Sequence, residues 1–122
     1  MKKKIYLGLS LDIIHHGHIN LISKAAKMGD LIVGLLTDKA ISGHKKLPLL
    51  DYNQRKLILE NIAGVKKVVP QNEWEYSKNI LKYKPDFFIH GDDWNIDKEG
   101  KLLKKNVIKA IKQTKSKLIE IP

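Results

Sequence analysis

Residues 15–18 read HHGH, so three of the chain's five histidines lie within four positions, around Gly17. They stand where the apolar run KIYLGLS (4–10) gives way to a helical pattern. His15 and His18, three apart at a helix start, place their rings on one side. Their ring N–H groups join the unpaired backbone N–H groups of the helix end, which together make a seat for phosphate. Gly17 lets a ligand approach the backbone closely. Two imidazoles aimed at one phosphate can stabilise the charge that builds up during its transfer, and histidine offers a donor in either protonation state. His16 is the bystander of the three. A zinc site built from Asp12 and the histidines is the competing chemistry, but there is no cysteine to supply a thiolate and no H-E-x-x-H pattern.

A second cluster, HGDDW, occupies 90–94. Asp92 or Asp93 could bind Mg²⁺, an ion that engages only one or two protein carboxylates beside substrate phosphates. Backbone groups of the same turn could read a base edge, although such a segment is also an ordinary Asp-rich turn leading into a helix. Lys46, in a loop bounded by Gly43 and Pro48, can reach a phosphate.

The elements that must position these residues alternate between strand and helix patterns. Strands are expected at 4–10, at DLIVGLLT (30–37), at VKKVVP, ended by Pro70, at DFFIH (86–90) and at SKLIEI (116–121). Helices are expected at HINLISKAAKM (18–28) with Gly29 as its stop, at YNQRKLILENI after a capping-box pair Asp51 and Gln54, near 75–83, and at GKLLKKNVIKAIKQ. The stretch 38–50 reads as a loop. This pattern predicts a doubly wound, Rossmann-like α/β fold, a five-stranded parallel sheet flanked by helices, as a single domain over 1–122. Ligands of such sheets bind beyond the carboxyl ends of the strands, where strand order reverses, so HHGH and HGDDW should face each other across one crevice.

Composition narrows the classes. A chain of 122 residues, 43% hydrophobic, suffices for one core, and with no cysteine it has no disulfide framework. MKKKIYLGLSLDII looks superficially like a secretory leader, but Asp12 interrupts the run and no small-residue cleavage site follows. No stretch is long enough to span a membrane, and a cytoplasmic protein is expected. The formal charge of +10 comes almost wholly from scattered lysines, with Arg55 the single arginine. Nucleic-acid readers favour arginine, so this is read as a solvated surface, with no nucleic-acid or membrane partner, whose field favours small anionic substrates.

With SLDIIHHGH, QRK at 54–56 and HGDDW, the chain resembles the cytidylyltransferase family, whose members transfer CMP from CTP to a phosphate- or phosphonate-bearing acceptor and release pyrophosphate. Phrases such as IHHGHINLI, GLLTDKAI, LPLLDYNQRK and ENIAGV are more similar to the phosphonate branch, the 2-aminoethylphosphonate cytidylyltransferases and the nucleotidyltransferase domains joined to phosphoenolpyruvate mutase. The chain is also similar to glycerol-3-phosphate cytidylyltransferase. The resemblance implies that His15, His18 and Lys46 act on the CTP phosphates, and that Leu9, Ser10, Leu11, Gly17, His90, Gly91, Asp92, Asp93 and Trp94 meet the nucleotide. It implies that Asp12 and Arg55 serve the acceptor, that Asp93 is the carboxylate for Mg²⁺, and that the protein is a homodimer. The expected acceptor is 2-aminoethylphosphonate, with Asp51, Tyr52, Trp74 and Trp94 as candidates to meet its amine. Glycerol-3-phosphate is the alternative, and a CTP-binding module without turnover a further one. Ala63 and Lys66 stand where the glycerol-phosphate branch has arginine and aspartate. The family continues past an IP strand end into an R-x-x-G-I-S-T-T-like segment. The sequence reads to Pro122, so that segment is expected to be absent.

Overall fold

The computed structural model describes residues 2–11 and 13–122. Five strands, β1 (Lys4–Leu9), β2 (Asp30–Leu36), β3 (Val65–Gln71), β4 (Phe87–Gly91) and β5 (Lys117–Ile121), pair in parallel in the order β3-β2-β1-β4-β5. Helices α1 (His16–Ala26), α2 (Asp38–Ser42), α3 (Tyr52–Glu60), α4 (Ser77–Tyr83) and α5 (Lys98–Thr114) make the connections, with one 3₁₀ turn at Asp92–Asn95. This is the five-stranded, doubly wound α/β domain that the alternating pattern predicts.

Side-chain alternation along the strands divides the core into two layers. Ile5 and Leu7 of β1 face α1 and α3, in a cluster with Ile22, Ala25, Val33, Leu59 and Ile89. Tyr6, between them, faces the other way and packs with Ile80, Phe88, Val107 and Ala110 under α4 and α5. A sheet covered on both faces needs strands that are apolar throughout, and β2, DLIVGLL, is such a strand.

Three of the differences from the sequence expectation have a plain physical cause. β3 runs through Pro70 to Gln71, because β3 lies at the sheet edge, where a residue without an N–H is tolerated, and Pro70 is exposed. The loop after β2 contains α2, capped by the Thr37 side chain and anchored through the buried Ala40 and Ile41. α1 begins at His16 rather than His18, because His15 is its N-cap. Among the described residues no helix is long and apolar enough to cross a membrane.

Candidate active site

The chain leaves β1 for β2 and β3 on one side, then returns to β4 on the other, so the carboxyl ends of β1 and β4 part at the switch point. A crevice of about 430 Å³ opens there, lined by 7–11, Gly17 and His18 on one wall and by Tyr76 and 90–93 on the other. HHGH and HGDDW therefore meet across one crevice, as the strand order requires. Gly8 forms part of its floor, where a Cβ would lie 2.5 Å from the Tyr76 ring.

The first wall is a helix end capped by its own histidines. The Gly17 N–H donates to His15 Nδ1 at 3.0 Å, and the His15 N–H donates to His18 Nδ1 at 3.2 Å. This reciprocal capping box uses imidazoles where Ser and Glu are usual. Because each Nδ1 accepts, each ring carries its proton on Nε2, so both neutral imidazoles are Nε2–H donors. The ring centroids stand 4.0 Å apart. Gly17 is required for this packing, since a Cβ there would lie 2.7 Å from His15 Cε1.

Leu11 follows β1 with φ 58, a left-handed conformation that costs a leucine about 1–2 kcal/mol. Arg55 holds the adjacent segment. Fully buried, it donates through Nη1 to Ser10 O at 2.6 Å and Leu36 O at 2.8 Å, through Nε to Leu50 O at 3.2 Å, and through Nη2 to Asp38 Oδ1 at 2.5 Å. The acceptor role expected for Arg55 is corrected on this ground: its guanidinium is consumed by the protein and presents no edge to an anion. Lys46 is exposed and does not line the crevice; its neighbour Lys45 does the reaching, with Nζ 2.8 Å from Ser10 Oγ. Asp12 lies outside the described residues.

The second wall is aromatic. His90 Nδ1 donates to Gly91 O at 2.6 Å, so Nε2 is unprotonated and accepts from the Tyr76 hydroxyl at 3.2 Å. Burial is the main cause that lowers the His90 pKa from its ordinary 6.5, and burial likewise raises that of Tyr76. His90 is thus a neutral Nδ1–H tautomer with both nitrogens occupied. Trp94, expected at the nucleotide, is instead buried behind His90, its indole stacked on the imidazole at 3.7 Å and 8°. Its flat apolar ring packs better between β4 and α5 than in a wet crevice. Asp92 and Asp93 are exposed at the lip, with Asp93 Oδ1 4.0 Å from His90 Nδ1.

Among the described residues no three His, Cys, Asp or Glu side chains cluster to hold a metal. The two lip carboxylates fit Mg²⁺ only in its usual manner, one or two protein oxygens completed by substrate phosphates and water. Of the candidates for an acceptor amine, Asp51 caps α3, Tyr52 lies beneath Arg55 at 5.9 Å, Trp74 stacks on His44 at 4.6 Å and Trp94 is buried; none lines the crevice. Ala63 and Lys66 lie near the amino end of β3, opposite the crevice, where Lys66 pairs with Asp30 at 3.3 Å. Sequence reasoning missed Tyr76 and Lys45. Nothing local marks Tyr76, and adjacent lysines in a loop cannot be told apart by pattern.

The chain matches the model of a family described as cytidylyltransferase-like over residues 6–120. It is 42% identical over 103 residues to the glycerol-3-phosphate cytidylyltransferase of Bacillus subtilis, spanning 83% of this chain and 76% of that one. It is 34% identical over 112 residues to an FAD synthase of Ferroglobus placidus, spanning 90% and 73%. Among solved structures, the lipopolysaccharide core biosynthesis protein from Thermoplasma volcanium superposes with a TM-score of 0.81 at 25% identity, over 100% of this chain and 98% of that one.

Proposed function

The chain belongs to the cytidylyltransferase-like family and is a nucleotidyltransferase, and we propose that it transfers CMP from CTP to a small phosphomonoester or phosphonate. The observation that carries this reading is the Nε2–H imidazole of His18 on the crevice at the α1 end, opposite the 90–93 wall, with the His15 ring, which does not itself line the crevice, 4.0 Å away. An acceptor oxygen attacks the α-phosphorus, the bond to the bridging oxygen breaks, and pyrophosphate leaves. His18 and His15 donate hydrogen bonds to the phosphate oxygens as charge grows there, and the α1 end adds its dipole. Lys45, and Lys46 on the same loop, attract the leaving pyrophosphate. The Ser10–Leu11 backbone and the Gly91–Asp93 turn orient the nucleoside. Bound at Asp93, Mg²⁺ would neutralise phosphate charge. The chemistry is positioning plus electrostatics, with no covalent intermediate.

Glycerol-3-phosphate is the leading acceptor, supported by the 42% identity to a relative of that name. The Ala63 and Lys66 departures do not count against it in this crevice, because they lie at the other end of the sheet. This reverses the order drawn from sequence phrases. The second reading, 2-aminoethylphosphonate, is favoured by the exposed Asp92 and Asp93 at the lip, which can meet an ammonium group. A homodimer belongs to this reading by analogy within the family, and light scattering after size exclusion checks it.

The test is pyrophosphate release from CTP and Mg²⁺ with glycerol-3-phosphate and 2-aminoethylphosphonate in parallel. ATP replaces CTP in a further arm because of the relative named FAD synthase. Release with CTP and one acceptor is expected. Release with ATP alone would overturn the nucleotide, and CTP binding without release would leave a binding module.

A further inference from the structure

We infer that Glu120 is a positioning residue for the second wall of the crevice, acting on the 92–95 turn through Asn95, Lys104 and Trp94 without touching substrate. This rests on the crevice being the nucleotide site.

The turn is a single 3₁₀ segment between β4 and α5, with no side-chain cap at its start, so little in its own hydrogen bonding fixes it. Its restraint comes from β5. Glu120 Oε2 accepts from Asn95 Nδ2 at 2.9 Å and from Trp94 Nε1 at 3.4 Å. Glu120 Oε1 pairs with Lys104 Nζ of α5 at 2.5 Å, both side chains being about one quarter exposed. Lys104 Nζ also donates to Asn95 Oδ1 at 2.9 Å, which closes a triangle, and Asn95 Nδ2 reaches Asp92 O at 2.9 Å. The carboxylate thereby grips the backbone of a residue that lines the crevice.

Trp94 carries the restraint inward. Its indole is stacked on His90, which forms the crevice wall with Gly91, Asp92 and Asp93. From the other side α5 comes so close that a Cβ on Gly100 would overlap the Trp94 backbone. The turn is held between a packed helix start and one carboxylate. The hydrogen bonds from Lys104 and Asn95 keep that carboxyl below its ordinary pKa, so it stays charged at neutral pH.

Two variants and two readouts test this. Glu120→Ala removes every bond, whereas Glu120→Gln keeps an acceptor for Asn95 and Trp94. In the ligand-free protein, amide exchange at 91–96 should accelerate about tenfold in Glu120→Ala and return to within about threefold of wild type in Glu120→Gln. In turnover, KM for CTP should rise about tenfold in Glu120→Ala, with kcat within about threefold and most of the KM effect restored in Glu120→Gln. Unchanged exchange at 91–96 in Glu120→Ala would overturn the inference whether or not the protein turns over. So would a lowered thermal midpoint and a raised KM of equal size in both variants, the mark of a merely structural group. Failure of the wild type to bind CTP or release pyrophosphate would instead sink the functional reading, while exchange still decides the clamp.

Discussion

The two walls of the crevice use histidine in opposite ways. On the first, His15 and His18 lie within one helical turn, take backbone N–H bonds on Nδ1 and keep their proton on Nε2. That capping pair is formed within four residues. On the second, His90 has its proton on Nδ1, its Nε2 bonded to Tyr76 and its ring face covered by Trp94, while Trp94 is itself tied to Glu120. One wall supplies donors, and the other, with both imidazole nitrogens spent on protein, supplies a shaped surface. On the proposed reading, catalytic hydrogen bonding falls to a local device, and the shape of the site to tertiary packing.

The largest effect should follow from breaking the first wall. His18→Ala removes the proposed donor to the transferring phosphate and half of the capping box, and kcat is expected to fall about 10²–10³-fold in the pyrophosphate assay. His90→Phe, which keeps a ring against Trp94, should change kcat less than about tenfold. Equal losses would dissolve the contrast. Next in size is Arg55→Met, which strips four bonds from a fully buried guanidinium and leaves Asp38 and three carbonyls without it. Urea unfolding should report a loss of about 3–5 kcal/mol. Wild-type stability with a raised acceptor KM would instead return Arg55 to the acceptor.

The same contrast explains what was legible in the sequence. The alternating pattern predicted the sheet, its parallel class and the meeting of the two motifs, because periodicity and crossover rules act through chain-local signals. HHGH was readable because both partners of its two capping hydrogen bonds lie inside it. Tyr76, Glu120 and the burial of Trp94 were not, because their roles exist only once β4, β5 and α5 are packed. Arg55 misled for a related reason: the resemblance offers it as an anion ligand, yet its planar fork also suits three carbonyls and a carboxylate in a dry site.

A smaller effect separates Lys45 from Lys46. Lys45→Met should raise KM for CTP about fivefold, the size of one solvent-exposed amine–phosphate pair, with Lys46→Met giving less. Reversed sizes would show that the loop re-registers when nucleotide binds and that the Ser10 contact of Lys45 belongs to the free protein.

The smallest effect concerns His90 and pH. Burial, the largest cause, holds its pKa below 6.5, against the Gly91 hydrogen bond and the charges of Asp93 and Glu120, which raise it. A lowered value means that the folded chain takes up this proton less readily than the unfolded chain. The stability associated with neutral His90 is thus complete above pH 6.5 and declines as pH falls from 6.5 toward the folded-state pKa. Urea unfolding at about pH 7.5 and about pH 5.5 should show the wild type losing more stability across the interval than His90→Phe, the other histidines cancelling in the comparison. Equal losses would mean that His90 titrates like a solvated imidazole and that the second wall is wet.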